Sequence, residues 1–345
     1  MIRIFHNTKF DFIKWWRHAA IATIAFMLLG AGSYFVNGSP NYSIEFTGGT
    51  LMQLQFKQPP NPEELRAVVG VAAPGSEIQQ YGSNTEYTVR AQDLNATAVT
   101  STTEGVSKRV QEALSAKYGK GEFTVVRTEA VGPKVGSELR RGALVAMLLV
   151  SLVTLLYLAF RFEWRFGVAA ILSTAHDVLV TFAFIKLFHI EVSLVVVGAI
   201  LTLLGYSSND TIIIFDRVRE NLRKLRKESL YDTLNRAINE TLPRSVLTHT
   251  TVVSATLALL FFAGEVLRPF AIVMTFGVVV ATFSSIFVAS PILLWIERKY
   301  PRTGGDKSHA FATQVRGEPK ADIATDRPTR PTRPTGRSSQ RPAAR

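Results

Sequence analysis

The chain contains no cysteine. This excludes disulfides, thiolate nucleophiles, iron–sulfur clusters and Cys-based zinc sites. Other absences narrow the chemistry further. There is no phosphate-binding Gly-x-x-x-x-Gly-Lys-Ser/Thr loop, no dinucleotide Gly fingerprint, no Gly-x-Ser-x-Gly elbow and no His-Glu-x-x-His pair. No second histidine or carboxylate stands at metal-ligand spacing from His176, so a metal site is not expected, nor is any cofactor.

What is present is clustered hydrophobicity. Six runs, at about 19–36, 142–160, 166–188, 192–215, 246–263 and 270–296, are long and apolar enough to cross a bilayer core. That core is about 30 Å thick and needs around 20 helical residues. The first run follows Arg17 and His18 but is longer than a typical signal core, and no small-x-small cleavage site follows it. It reads as a retained span.

The net charge of +12 is uneven. Basic residues gather before the first run, in the loop 161–165, in the loop 216–245 and in the tail, whereas the short loops 189–191 and 264–268 are nearly bare. The positive-inside rule then predicts both termini in the cytoplasm and residues 37–141 outside. The basic patches lack interleaved aromatics, so anionic headgroups explain them better than nucleic acid does.

The predicted organisation is a cytoplasmic N-terminus at 1–18, a first span at 19–36, and an external domain at 37–141. Five further spans lie within 142–296, and a disordered basic tail covers 297–345. In the external segment Leu51–Lys57 alternates apolar and polar like a half-buried strand. Asn61-Pro62 opens a helix that ends near Gly70. Two strands at 76–81 and 85–91, a helix at 98–118 and a strand at 122–131 complete a β-α-β-β-α-β, ferredoxin-like order. Within 216–245, a short amphipathic helix is expected at 231–241, distinct from the fifth span. Gly277, Ala281, Ser285 and Ala289 recur every four residues, a stripe that suits close helix packing.

Polar groups inside the spans are the functional candidates. An ionised Asp costs about 2.5–3.5 kcal/mol at the centre of a span, so an intramembrane carboxylate is a functional hypothesis by default. Asp210, after Asn209, lies about 8 Å inside the boundary at Phe215 at 1.5 Å per residue. Arg244 and Thr248, one turn apart on one helix face, sit at a similar depth. An Asp210–Arg244–Thr248 cluster would suit a proton relay, because burial favours the neutral acid and a nearby guanidinium favours the charged form. A static ion pair fixing helix register is the alternative. His176 and Asp177 lie deeper in the third span. His176 reads equally as a packed side chain, and Asp177 with Asp210 leaves an intramembrane aspartyl protease open. Two adjacent carboxylates would be needed, yet their depths differ by roughly two turns, and no Gly-x-Gly-Asp motif occurs.

Several segments together resemble the SecD/SecF family, specifically its six-span SecF branch within the resistance-nodulation-division superfamily. They are Asn41-Tyr42-Ser43-Ile44-Glu45-Phe46-Thr47-Gly48-Gly49-Thr50, the stretch 131–139, His176-Asp177-Val178, Gly205-Tyr206-Ser207 with Asn209-Asp210-Thr211, Phe215-Asp216-Arg217, and Asn239-Glu240-Thr241-Leu242-Pro243-Arg244-Ser245. The resemblance covers about residues 5–300. Ser43 and Glu45 stand where the family usually has Gly and Asp, and Glu45 keeps the charge. The resemblance implies six transmembrane helices with one α+β periplasmic domain, in the bacterial inner membrane. It implies a non-enzymatic auxiliary subunit of protein export that pairs with SecD, with YajC, and assists the SecYEG channel. That subunit would move unfolded polypeptides outward at the expense of the proton motive force. Carried over by motif, Asp210, Arg244 and Thr248, with Asn209, are proton-coupling residues; Asp177 and His176 are secondary candidates; Glu45, Gly48 and Gly49 form the external-domain motif. A self-sufficient small-solute proton antiporter is a further alternative, although six spans with one large loop suit half of a pseudo-symmetric machine.

Overall fold

A computed structural model describes residues 8–91, 103–161, 163–224, 228–264 and 266–300. Residues 301–345 of the predicted tail and the residues 98–102 expected to start a helix lie outside these, while 297–299 of that expected tail are helical in the last turn of the sixth span.

The helices are α1 (Trp16–Asn37), α2 (Ile44–Thr47), α3 (Pro62–Ala72), α4 (Thr103–Tyr118), α5 (Pro133–Arg161), α6 (Trp164–Leu187), α7 (Leu194–Lys224), α8 (Leu230–Phe262), α9 (Arg268–Ser284) and α10 (Ser290–Lys299). The strands are β1 (Gly49–Phe56), β2 (Glu77–Gln80), β3 (Glu86–Ala91) and β4 (Phe123–Val131). Among the described residues, six helical spans are long and apolar enough to cross a membrane. The sixth is α9 and α10 joined through a π-helical turn at Ser285–Ala289.

Between α1 and α5 the strands form one antiparallel sheet in the order β2-β3-β1-β4. Alternate residues of β1 and β3 are buried, as the period of two requires. Met52, Leu54, Phe56, Tyr87 and Val89 meet Leu65 and Val69 of α3 and Val106, Val110 and Leu114 of α4. The Asn61 side chain accepts from Glu63 N and caps α3, with Pro62 at the first turn. The β-α-β-β-α-β order and the ferredoxin-like sheet both follow the sequence expectation.

In the bundle, the apolar windows of α6, α7 and the sixth span are each 56% buried, against 11% for the first span and 6% for α5. The three therefore form the centre. Close backbone approach sets this packing. A Cβ on Gly277 would lie 2.6 Å from Leu203 Cδ2, so α7 and α9 meet at a glycine. The expected packing stripe is buried at Gly277, Ala281, Ser285 and Ala289.

One expectation changes. The amphipathic helix expected at 231–241 is not separate from the fifth span: α8 runs unbroken through Pro243. A proline costs a helix one backbone hydrogen bond, which neighbouring packing can offset. Leu234, Ala237, Ile238 and Leu242 are buried in one cluster with Ile13, Phe215 and Val218 before the proline, and Val246 packs against the same cluster beyond it. Both α7 and α8 project well past a bilayer core: at 1.5 Å per residue, 31 and 33 residues span about 46–50 Å. Arg217 Nε donates to Glu240 Oε2 at 2.6 Å, and Asn221 Nδ2 donates to the same oxygen at 2.9 Å, tying the projecting ends together.

Candidate functional site

α6, α7, α8 and α9 bring two buried carboxylates into the middle of the bundle. Asp210 is 3% exposed and Asp177 is fully buried. Ser245 of α8 donates its hydroxyl to Asp210 Oδ1 at 2.5 Å, and Ser285 of the π turn donates to Oδ2 at 2.7 Å. Ser207 of α7 and Ser284 of α9 donate to Asp177 Oδ2 at 2.5 and 2.7 Å. The other oxygen of Asp177 lies 3.0 Å from His176 Nδ1. Each carboxylate thus has its serine donors on helices other than its own. A buried charge persists only when paired and hydrogen-bonded, and hydrogen bonds to a charged group contribute about 1.5–3 kcal/mol each.

The expected partners of Asp210 lie elsewhere. Arg244 is exposed and makes no ion pair among the described residues. It precedes Ser245 by one residue, about 100° around the helix, and it is Ser245 that meets Asp210. Thr248 is exposed too, and its hydroxyl returns to the Arg244 and Ser245 carbonyls at 3.0 and 3.1 Å. Its own carbonyl accepts from Tyr206 of α7 at 3.2 Å. Asn209 is exposed beside Asp210. The structure therefore brings Asp210 together with serines, and leaves Asn209, Arg244 and Thr248 exposed on α7 and α8.

Sequence reasoning missed four of these serines. Ser207, Ser245, Ser284 and Ser285 are small, common in spans, and give no signal until the azimuth of each helix is known. It also missed His249, buried on α8, whose Nδ1 lies 2.7 Å from the Ser245 carbonyl. A carbonyl only accepts, so Nδ1 carries a hydrogen.

The external-domain motif is placed at the opposite end of α7. Glu45 Oε2 accepts from Leu194 N, the first residue of α7, at 2.6 Å, and from Ser43 Oγ at 3.1 Å. It supplies an acceptor and a negative charge where a helix start has free N–H groups and a positive dipole end. Around it, Ser43 N donates to Val192 O at 2.9 Å, Val192 N to Asn41 O at 2.7 Å, and Arg90 pairs with Glu191 at 2.6 Å. Ser43 has φ −69°, so no glycine is required there. Gly48 differs: its φ is +74° and ψ 168°, a combination essentially confined to glycine. A Cβ there would lie 2.9 Å from Pro133 Cα. Gly49, also at positive φ (+122°), opens β1. Thus the motif joins the sheet domain to the starts of both α5 and α7.

Comparison with known proteins agrees with this architecture. The family model for the protein export membrane protein SecD/SecF, C-terminal, matches residues 110–299, and that for the SecD/SecF GG motif matches residues 40–60. Protein translocase subunit SecF of Gemmatimonas aurantiaca is 64% identical over 305 residues, 88% of this chain and 91% of that one. Protein translocase subunit SecDF of Thermus thermophilus is 40% identical over 302 residues, 85% of this chain but 39% of that longer one. The crystal structure of SecDF from Thermus thermophilus, a translocon-associated membrane protein, superposes with a TM-score of 0.74 at 38% identity. It too covers 85% of this chain and 39% of that one.

Proposed function

The chain belongs to the SecD/SecF family of protein-export membrane proteins, and we propose that it uses the proton motive force to assist late translocation of unfolded polypeptides, with Asp210 as the proton-binding group. It is a bacterial inner-membrane protein with an auxiliary role in Sec export. The observation that carries the proton reading is the carboxylate of Asp210, 3% exposed within a span and held by two serine hydroxyls from two other helices. A neighbouring cation favours the charged form of a carboxyl, so a change in its surroundings can drive uptake and release of a proton.

Arg244 supplies that change. Ser245 and Arg244 are adjacent on α8, so a rotation of α8 exchanges a neutral hydroxyl for a guanidinium beside Asp210. The guanidinium favours release of the proton and the hydroxyl favours it less. Thr248 and Asn209 share the exposed side chains of this pair of helices. Exposed polar groups in a span are costly against lipid. A partner bundle from SecD, the other half of the fused SecDF relative, covers them and completes the path. YajC and the SecYEG channel are the further partners in this reading. Both termini lie in the cytoplasm, in keeping with the basic loops, and the sheet domain lies on the outer side, where it meets the emerging chain. Through Glu45 it bears on α7, the helix that carries Asp210.

The protease reading gains nothing from the geometry. Asp177 and Asp210 have separate donors and no hydrogen bond joins them among the described residues. The test of the proposal is export of a secreted reporter into inverted vesicles. Under an imposed proton gradient, Asp210→Asn should export at the rate seen without a gradient, with the complex still assembled. Stimulation equal to wild type would refute it.

A further inference from the structure

Ser284 and Ser285 are consecutive, yet each serves a different buried carboxylate. Each hydroxyl has one hydrogen and two acceptors within reach. Ser284 Oγ is 2.7 Å from Asp177 Oδ2 and 3.1 Å from the Ala281 carbonyl. Ser285 Oγ is 2.7 Å from Asp210 Oδ2 and 3.0 Å from the Thr282 carbonyl. A serine donates only once. An ionised carboxylate only accepts, and its charge-assisted bond is the stronger, so it takes the hydrogen. A protonated carboxyl carries its own O–H and donates to the serine oxygen. The serine hydrogen then turns to the carbonyl of its own helix. Proton binding thus reverses the hydrogen bond between the helices and turns the serine hydrogen to the backbone of α9.

The place where this happens is irregular. α9 ends at Ser284 and the π-helical turn begins at Ser285. Within it the Ser285 carbonyl accepts from Ser290 Oγ at 3.2 Å, five residues on. Such turns are rare and short, and the backbone there has left the regular i→i−4 ladder. Two adjacent carbonyls, Ala281 and Thr282, receive the two released hydrogens. The same backbone segment therefore responds to both carboxyl groups.

We propose that Asp177 and Asp210 are a linked pair of proton-binding sites, coupled through the hydroxyls of Ser284 and Ser285 at the π turn of the sixth span. This rests on the reading of Asp210 as a proton-binding group and adds a second site and a physical connection. The surroundings are otherwise sparse in charge. His176 on α6 contacts Asp177. From α8, His249 lies one turn beyond Ser245, edge-on to Tyr206 of α7, and Arg244 is exposed. After Arg268, α9 has no titratable side chain.

The test is a pH titration of side-chain carboxyl signals by carbon-13 NMR. It uses the full chain in lipid bilayers, labelled at aspartate and assigned by Asp→Asn variants. In the wild type the Asp210 signal should titrate in two steps, as linked sites do when they interact by about one pH unit or more. Asp177→Asn should leave one step and change the proton affinity of Asp210 about tenfold or more. The double variant Ser284→Ala, Ser285→Ala should leave both carboxyls titrating in single, independent steps. Threonine at both positions should restore the linkage. A single-step Asp210 curve in the wild type overturns the proposal. Linkage that survives the double alanine variant also overturns it, since direct charge repulsion would then be the cause. If Asp210 titrates alone and Asp210→Asn still abolishes gradient-driven export, only this inference fails. If Asp210 does not titrate at all, the proposed function fails with it.

Discussion

The Ser245 hydroxyl lies 2.5 Å from Asp210 Oδ1, while Arg244, its neighbour in sequence, is exposed. The site in this chain is thus a carboxylate held by neutral donors, with a cation one helix position away.

That arrangement predicts unlike effects for the two neighbours. Ser245→Ala removes a donor from a buried carboxylate and should lower stability by about 1.5–3 kcal/mol. Ser245→Thr keeps the hydroxyl and should retain most of it. Unfolding in lipid or mild detergent, followed by loss of helix signal, measures both.

Arg244→Gln should behave in the opposite way. The side chain makes no ion pair among the described residues, so stability should stay near wild type. Export stimulated by a proton gradient should fall to the unstimulated rate. A variant that unfolds readily yet still responds to the gradient would make Arg244 a structural residue.

At the other end of α7, Glu45→Ala removes the acceptor for Leu194 N and should cost about 1 kcal/mol, as loss of a helix cap does. Hydrogen exchange should quicken at Leu194 in particular. Glu45→Gln keeps an acceptor and should lose less, the difference reporting the charge at the helix start.

Gly48→Ala tests the junction between sheet and bundle. Both its backbone conformation and the closeness of Pro133 Cα oppose a Cβ. The expected cost is about 1–3 kcal/mol, read as a lower unfolding midpoint. Gly70→Ala, with open space around its Cβ, is the control that should not destabilise.

Much of this molecule was legible from its residues. Six apolar runs gave six spanning helices, and alternation at Leu51–Lys57 with a capped helix at Asn61 gave the sheet domain. Asp210 stood out because an acid inside an apolar run has few bland explanations. Its partners did not, for a geometric reason. Rise per residue gives the depth of Arg244 but not its direction, and neighbours on a helix point about 100° apart. Ser285 looked like one small residue among Gly277, Ala281 and Ala289; it packs with them and also holds Asp210. The π turn leaves no mark in a four-residue spacing. The helix expected at 231–241 runs on through Pro243 into the fifth span, because contacts from Leu234 to Leu242 offset the cost of the proline.

The central claim is that Asp210 binds and releases the proton that drives the cycle. Proton flux into liposomes holding this chain with its SecD partner, read by an entrapped pH dye under an imposed gradient, tests it most directly. Wild-type complex should dissipate the gradient and Asp210→Asn should hold it as protein-free liposomes do. Equal dissipation by the two would contradict the account.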